Sequence, residues 1–410
     1  MSLARLPLPR HLLAACAAAL LACTTTPGAS GSGGGAGAAG GGTATSSGGG
    51  AAGGALGGGS GGGRADAGTV TTVRIHYPPG THTLTLRGSR PPLSWNAGVA
   101  LVAGAEDTFT FSTTALDAPL ELKPLLDDAT WSRGPNYTVA PGATLEVYPH
   151  FVTQKGTWSR RWPAVSSTVL GNTRGVWVYL PPTAAENARA RFPVVYMHDG
   201  QNLFDPQTAY GNNPWLVQDA LDQGAEDGTI REAIVVGPEN TADRIGEYTP
   251  TASASYPGSG KGDRYLRFLV EELKAKVDAE LPTLPGRADT VIAGSSLGGL
   301  ISAHAGVTQP ETFGRVGALS PSTWWDGRVL LTTVAATRPA PARPLAVYLD
   351  CGTVDDGQAD TTALAAAYRT LGYQDGATLS FVVQQGAAHN ETYWRQRLPG
   401  AFRFLLGPGR

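Results

Sequence analysis

Six short apolar runs, 176–180 (VWVYL), 194–197 (VVYM), 233–236 (AIVV), 291–293 (VIA), 345–349 (LAVYL) and 381–383 (FVV), recur through the second half of the chain. They are rich in β-branched and aromatic side chains and too short for helices, so they read as strands buried on both faces. Between the third and fourth runs, Leu266, Leu269, Val270, Leu273 and Val277 follow an i, i+3, i+4, i+7, i+11 spacing. That spacing makes one apolar face of a helix. Buried strands alternating with helices imply a parallel sheet covered on its faces. Residues 157–410 are therefore expected to form one α/β domain.

The stretch before it obeys a different period. Segments 73–77 (VRIHY), 83–86 (TLTL) and 108–111 (TFTF) alternate polar with apolar residues, and Pro78-Pro79-Gly80, Pro91-Pro92 and Pro141-Gly142 separate them. Residues 68–152 are expected to be a small all-β sandwich. Further upstream, residues 28–63 hold 20 of the 55 glycines, and such a segment cannot bury enough apolar surface to offset its ordering entropy. Residues 23–67 thus read as a disordered Gly/Ala/Ser-rich linker, with a root-mean-square reach of roughly 35 Å for a Gly-rich coil.

The first 22 residues read as an export signal. Arg5 and Arg10 precede an apolar stretch over 12–22, too short to span a bilayer, that ends in Leu20-Leu21-Ala22-Cys23. This ending resembles a bacterial lipobox, which implies cleavage before Cys23, acylation of its thiol and a membrane anchor. Leu13-Ala14-Ala15-Cys16 has the better spelling but too short an apolar run before it. Thr24 after the cysteine implies the outer membrane by the same resemblance, so the expected location is an outer-membrane lipoprotein or a secreted protein. Of the three cysteines, a lipidated Cys23 leaves Cys351 alone after cleavage, with no intramolecular disulfide. A net charge of −2 and the lack of any Lys/Arg block set nucleic-acid binding aside.

Gly294-Ser295-Ser296-Leu297-Gly298 is a G-x-S-x-G pentapeptide directly after the strand candidate 291–293. The pattern alone is weak, since Gly58-Gly59-Ser60-Gly61-Gly62 in the linker also satisfies it. Only Ser296 lies between a β-branched run and a plausible helix, where a nucleophilic serine sits on a strained elbow cleared by its flanking glycines. A hydroxyl needs a base to become a nucleophile. After Ser296 the histidines are His304, inside the helix that the elbow starts, and His389, on a loop past the last strand candidate. His389 is the expected base. For the acid, Asp350, Asp355 and Asp356 crowd the end of the 345–349 run; Asp355, three residues past Gly352, is chosen, with Asp356 in reserve and Asp350 as a brace for the loop. The oxyanion donors are expected to be the amide of Leu297 and that of Gln201, in the "YMHDGQNLFD" loop at 196–205. His198-Asp199 has no second histidine or cysteine at ligand spacing, so neither metal nor other cofactor is expected.

"HDGQNLFD", "ADRIGEY" (242–248), "AGSSLGG", "LSPSTWW" (319–325), "LDCGTVDDG" (349–357) and "GAAHNETYWRQRLPGAFRFL" (386–405) resemble, in order and spacing, the esterase family that includes enterochelin esterases, feruloyl esterases and S-formylglutathione hydrolase. The resemblance covers residues 157–410. It implies an α/β-hydrolase fold and a Ser296, Asp355, His389 triad acting through an acyl-enzyme, with Trp324 and Trp325 as an aromatic pocket wall, although paired tryptophans equally suit the core. Arg244 and Glu247 either support the cleft or pair with each other. In the sandwich, "PPLSWNAGVAL" (91–101) and "LELKPLLDDATWSRGPNY" (120–137) resemble a starch-binding-type carbohydrate-binding module, which implies sugar stacking on Trp95 and Trp131; both residues equally suit a sandwich core. The expected function is a serine carboxylic ester hydrolase acting on carbohydrate-linked acetyl or feruloyl esters. A siderophore esterase of the enterochelin type, an acyltransferase and an inactive glycan-binding surface lipoprotein are the alternatives.

Overall fold

A computed structural model describes residues 69–337 and 344–409. The export signal, Cys23 and the Gly-rich linker lie outside the described residues. Gly68–Arg410 form one compact unit.

The larger sheet has eight strands: β1 (Thr157–Ser167), β2 (Asn172–Leu180), β3 (Val194–Met197), β4 (Ile234–Pro238), β5 (Thr290–Ser295), β6 (Arg315–Leu319), β7 (Ala346–Val354) and β8 (Leu379–Ala388). They lie side by side in the order β1-β2-β4-β3-β5-β6-β7-β8. The first two pairings are antiparallel and the remaining ones parallel. This is the strand order of an α/β hydrolase.

The helices α1 (Val217–Glu226), α2 (Gly262–Glu280, with a π turn over Phe268–Leu273), α3 (Leu297–Thr308), α4 (Trp325–Ala335), α5 (Gln358–Thr370) and α6 (Glu391–Leu406) cover the sheet. Alternate residues of one strand feed opposite faces, because successive side chains point to opposite sides. Val194 and Tyr196 pack under α2, α3, α4 and α5, whereas Val195 and Met197 pack under α1 and α6. The apolar stripe of α2 is the one its spacing predicts: Leu266, Leu269, Leu273 and Val277 are fully buried, each side chain contributing about 1.5–3 kcal/mol by leaving water. Two strands have little sequence signal. In β6, RVGAL is interrupted by Gly317, where an added Cβ would come within 3.0 Å of Leu405 and 3.1 Å of Ala293. The sheet-edge strand β1 is mostly exposed and carries Arg160, Arg161 and Pro163, with two register shifts, the features that blunt an open edge.

Residues 71–147 form two further sheets. One runs in the order Val102–Ala103, Thr108–Thr113, Thr71–His76, Thr144–Val147. The other runs Val99–Ala100, Leu84–Gly88, Leu120–Leu126, Thr130–Trp131, with Tyr137–Val139 also paired to Leu120–Leu126. Val73, Ile75, Leu84, Leu86, Leu120 and Leu122 form the core between them. Trp95 and Trp131 are not in that core. Trp131 is 40% exposed, Trp95 is half-buried, and their rings lie 6.0 Å apart at 50°.

The sandwich is bonded to the hydrolase body through a one-turn helix, Pro182–Glu186, and the residue after it. The Glu186 carboxylate accepts the amides of Phe151 at 2.8 Å, Val152 at 2.9 Å and Thr153. Asn187 Nδ2 donates to the His76 and Pro149 carbonyls at 2.7 and 3.2 Å, and Arg133 pairs with Glu226 at 3.0 Å. Replacing the Glu186 carboxylate removes the acceptor shared by three amides, that of Phe151 buried and that of Val152 open to water. Glu186→Ala is expected to cost about 1–3 kcal/mol, measured as a lower midpoint in urea unfolding, while Glu186→Gln retains part of the loss.

Candidate active site

The parallel register aligns Ser295, Leu319, Asp350 and Val382 across β5, β6, β7 and β8. The loops leaving these strands therefore open on one edge of the sheet, the carboxyl edge where ligands of open α/β sheets bind. Ser296 is the turn from β5 into α3, at φ 58° and ψ −122°, a region costly for any residue with a Cβ. The surroundings over-determine it. Its N–H donates to the Leu319 carbonyl at 3.0 Å, and its own carbonyl accepts from Ser322 and Leu300, each at 3.0 Å. A Cβ on Gly294 would lie 2.8 Å from His198 Cδ2, one on Gly298 3.2 Å from His198 Cβ, and one on Gly299 3.0 Å from the Leu319 carbonyl. The glycines give the elbow room to exist.

His389 follows β8, and the next residue, Asn390, caps α6 by accepting the Thr392 amide at 3.1 Å. The imidazole Nδ1 lies 2.6 Å from Asp356 Oδ1. Asp356, and not Asp355, is thus the carboxylate on the imidazole, which corrects the expectation from sequence. Asp355 adopts φ 48° and is exposed, so the turn delivers the next side chain inward. Burial pushes the Asp356 carboxyl up, but the bond and charge of His389 and the Ser320 hydroxyl outweigh it and hold the group below its ordinary range. Its second oxygen accepts from Ser320 Oγ at 2.7 Å and from the Gly352 amide. Asp350 lies beneath, accepting the Ser320 amide at 3.0 Å and facing Arg397 Nε at 3.0 Å. Burial raises its carboxyl to about 6 against the pull of Arg397.

Ser296 Oγ lies 3.4 Å from Ser322 Oγ. Among the described residues no hydrogen bond joins it to His389, and nucleophile–base contacts commonly tighten only once substrate is bound. Across the cleft, Asp199 takes the left-handed conformation at φ 59° and starts the turn Gly200–Asn202. A Cβ at Gly200 would lie 2.0 Å from the Gly237 carbonyl, so the turn needs glycine. Gln201 is held from both ends: its carbonyl accepts Thr208 Oγ1 at 2.7 Å and its Oε1 accepts the Asn240 amide at 3.2 Å. Among the described residues neither the Gln201 nor the Leu297 N–H donates to a protein acceptor outside its own helix.

Several residues differ from their sequence reading. Arg244 and Glu247 do not pair. Arg244 grips Asp199 with two bonds of 2.7 and 2.8 Å, and Glu247 takes Arg174 at 2.6 and 2.9 Å in a fully buried pair. Trp325 is no pocket wall: it is 1% exposed and its Nε1 donates to the Thr251 carbonyl at 3.2 Å. Trp324 is half-buried, with Tyr256 6.2 Å away. His198 is buried between Tyr248 and Tyr265, and burial drives its imidazole down to about 3, so it is neutral. His304 lies 3.0 Å from Asp263. Among the described residues no group of three or more His, Cys, Asp or Glu side chains is gathered to hold a metal. Ser320, Asp199 and Arg397 lie inside the quoted motifs without a role read for them there, and the partnership of Arg244 with Asp199 is likewise new from the structure.

A family model described as "Putative esterase" matches residues 167–405, more than half of the chain. The chain belongs to that esterase family. It is a carboxylic ester hydrolase. The esterase is 25% identical over 263 residues to the uncharacterized protein YbbA of Bacillus subtilis, a match spanning 60% of this chain and 98% of that one. It is 26% identical over 269 residues to the iron(III) enterobactin esterase of Dickeya dadantii, covering 58% of this chain and 53% of that protein. It is 23% identical over 237 residues to the endo-1,4-beta-xylanase/feruloyl esterase of Xylanibacter ruminicola, covering 57% of this chain and 29% of that protein. The esterase thus spans about half or less of the two relatives whose activities are named.

The two adjacent aspartates make a sharp comparison. Asp356→Asn is expected to lower kcat for a short-chain ester by about 10³–10⁴-fold, because the amide no longer holds the imidazole in the needed tautomer. Asp355→Asn is expected to stay within about twofold of the parent, and steady-state kinetics on the two variants checks the assignment.

Proposed function

We propose that this esterase works through a covalent acyl-enzyme on Ser296, with His389 as base, Asp356 as its orienting acid, and the Leu297 and Gln201 amides as oxyanion donors. The observation that carries the reading is the 2.6 Å bond from His389 Nδ1 to a buried carboxylate, at the same sheet edge as a serine on a strained elbow. That bond fixes the tautomer: with Nδ1 protonated, Nε2 is left with its lone pair free to accept a proton. His389 then takes the Ser296 proton as the oxygen attacks the ester carbonyl. The Leu297 and Gln201 amides bind the oxyanion that develops, and His389 returns the proton to the departing alcohol. Water, activated by the same imidazole, resolves the acyl-enzyme.

For the substrate, the reading that joins both halves of the chain is a carbohydrate-linked acetyl or feruloyl ester. Trp95 and Trp131, adjacent and outside the sandwich core, support it, since exposed indoles cover the apolar faces of sugars; so does the feruloyl esterase among the relatives. The enterobactin esterase relative favours a second reading, a catecholate siderophore ester, with equal strength at the level of sequence. A screen of the purified chain on acetylated xylan, methyl ferulate and a tricatecholate triester separates the two, and a labelled sugar acceptor detects acyl transfer. Ser296→Ala is expected to lower kcat by about 10⁴-fold or more on whichever ester is used. Retained turnover removes the acyl-enzyme from consideration.

We place the esterase outside the cell envelope's inner membrane, tethered by an acylated Cys23 or released. The run ending in Leu20-Leu21-Ala22-Cys23 supports this. Labelled palmitate is expected to enter the parent protein when it is produced in a bacterium, and to be absent from Cys23→Ser.

A further inference from the structure

Ser320 is the first residue past β6, at φ 41°, with 1% of its surface exposed. Its Oγ accepts from Arg397 Nη2 at 2.8 Å and from Trp394 Nε1 at 3.0 Å. A serine oxygen has two lone pairs and one proton, so with both pairs engaged its proton has one direction left, toward Asp356 Oδ2 at 2.7 Å. The backbone of Ser320 is pinned as well, its N–H lying 2.9 Å from the Asp350 carbonyl and 3.0 Å from Asp350 Oδ1. Trp394 packs T-shaped against His389, the centroids 5.0 Å apart and the planes at 88°. Arg397 is itself fixed, by Asp350 at 3.0 Å and by Gln384 Oε1 at 3.0 Å.

We propose that Ser320 is a positioning residue of this esterase: its hydroxyl relays the positive charge of Arg397 to the far oxygen of Asp356, and so sets how strongly that carboxylate holds the protonated His389. The proposal rests on the acyl-enzyme reading above. The guanidinium is 3.7 Å from Asp356 Oδ2, too far for a good hydrogen bond, whereas the hydroxyl between them makes two. The other ionisable groups beside the pair are Asp350 and Cys351 on β7 and Glu391 at the start of α6, which in turn feels the Asp199–Arg244 pair. Removing the Ser320 proton donor leaves more negative charge on the oxygen facing the imidazole. The imidazolium is then favoured, and the base is silenced at a higher pH.

Ser320→Gly tests this without forcing the backbone, because glycine takes a positive φ at no steric cost. Expected for Ser320→Gly are a kcat lower by about tenfold or more, KM within about threefold, and an acid limb of the kcat/KM profile displaced to higher pH. Arg397→Lys, which keeps the charge but not the fork, is expected to move the limb in the same direction by less. The downfield proton resonance of the His389–Asp356 bond is expected to shift in both variants, a readout independent of turnover. A Ser320→Gly enzyme with the parent's pH profile and resonance overturns the proposal, whether kcat is unchanged or falls through lost stability alone. A parent enzyme no faster than Ser296→Ala overturns the acyl-enzyme reading instead.

Discussion

Everything in the catalytic half of this esterase depends on the turn at Ser296. A strand that must end and a helix that must begin within one residue force φ to 58° and ψ to −122°, and that conformation survives only because neighbouring strands hold it. Ser296 borrows the Leu319 carbonyl from β6 and returns its own carbonyl to Ser322. The glycines at 294, 298 and 299 are the negative image of His198 and of the β6 backbone. His198 therefore has a steric task here: neutral, buried and held by Tyr265 Oη 3.0 Å from its Nδ1, it fills the space that a Cβ on either elbow glycine would need.

Around this turn the fold buries charge in matched pairs. Arg174 with Glu247, Arg244 with Asp199, and Arg397 with Asp350 each combine a guanidinium with a largely buried carboxylate. Pairs of this kind add little net stability over apolar packing, because desolvation offsets most of the Coulomb gain. Their worth is geometric, since a guanidinium fork tolerates few arrangements. Arg244 grips both oxygens of Asp199, the residue that starts the Gly200–Asn202 turn in the left-handed region. Arg397 and Asp350 together hold Ser320, also at positive φ. Both loops that shape the site are thus strained at one residue and clamped there by an ion pair.

The parts of the site that follow from the backbone alone were legible in the sequence. Ser296 sits between glycines after a β-branched run, and His389 lies downstream past the last strand; both readings need only order and period. The acid needed more. Asp355 and Asp356 are chemically identical neighbours, and the choice between them turns on the positive φ of Asp355, which no local pattern announces. Trp325 stood open between pocket wall and core for a related reason: paired aromatics show bulk, but only the packing against Tyr256 and the Thr251 carbonyl shows which ring faces inward. Arg244 and Glu247, three residues apart on one turn, left a role in the cleft and a local pair both open, whereas each satisfies a partner distant in sequence. The sandwich core was legible by alternation. The position of Trp95 and Trp131 outside it was not, because alternation does not separate a second layer from solvent.

The junction between sandwich and hydrolase bears on how the two halves act together. A flexible linker between modules gives a second binding event only an effective concentration set by linker length. Here the chain passes from the last sandwich strand, Thr144–Val147, to β1 at Thr157 across a segment whose amides at 151, 152 and 153 end on one carboxylate. Asn187 ties the same turn to the His76 and Pro149 carbonyls. The sandwich therefore meets the hydrolase body in an orientation fixed by hydrogen bonds, and not as a module free to diffuse on a tether.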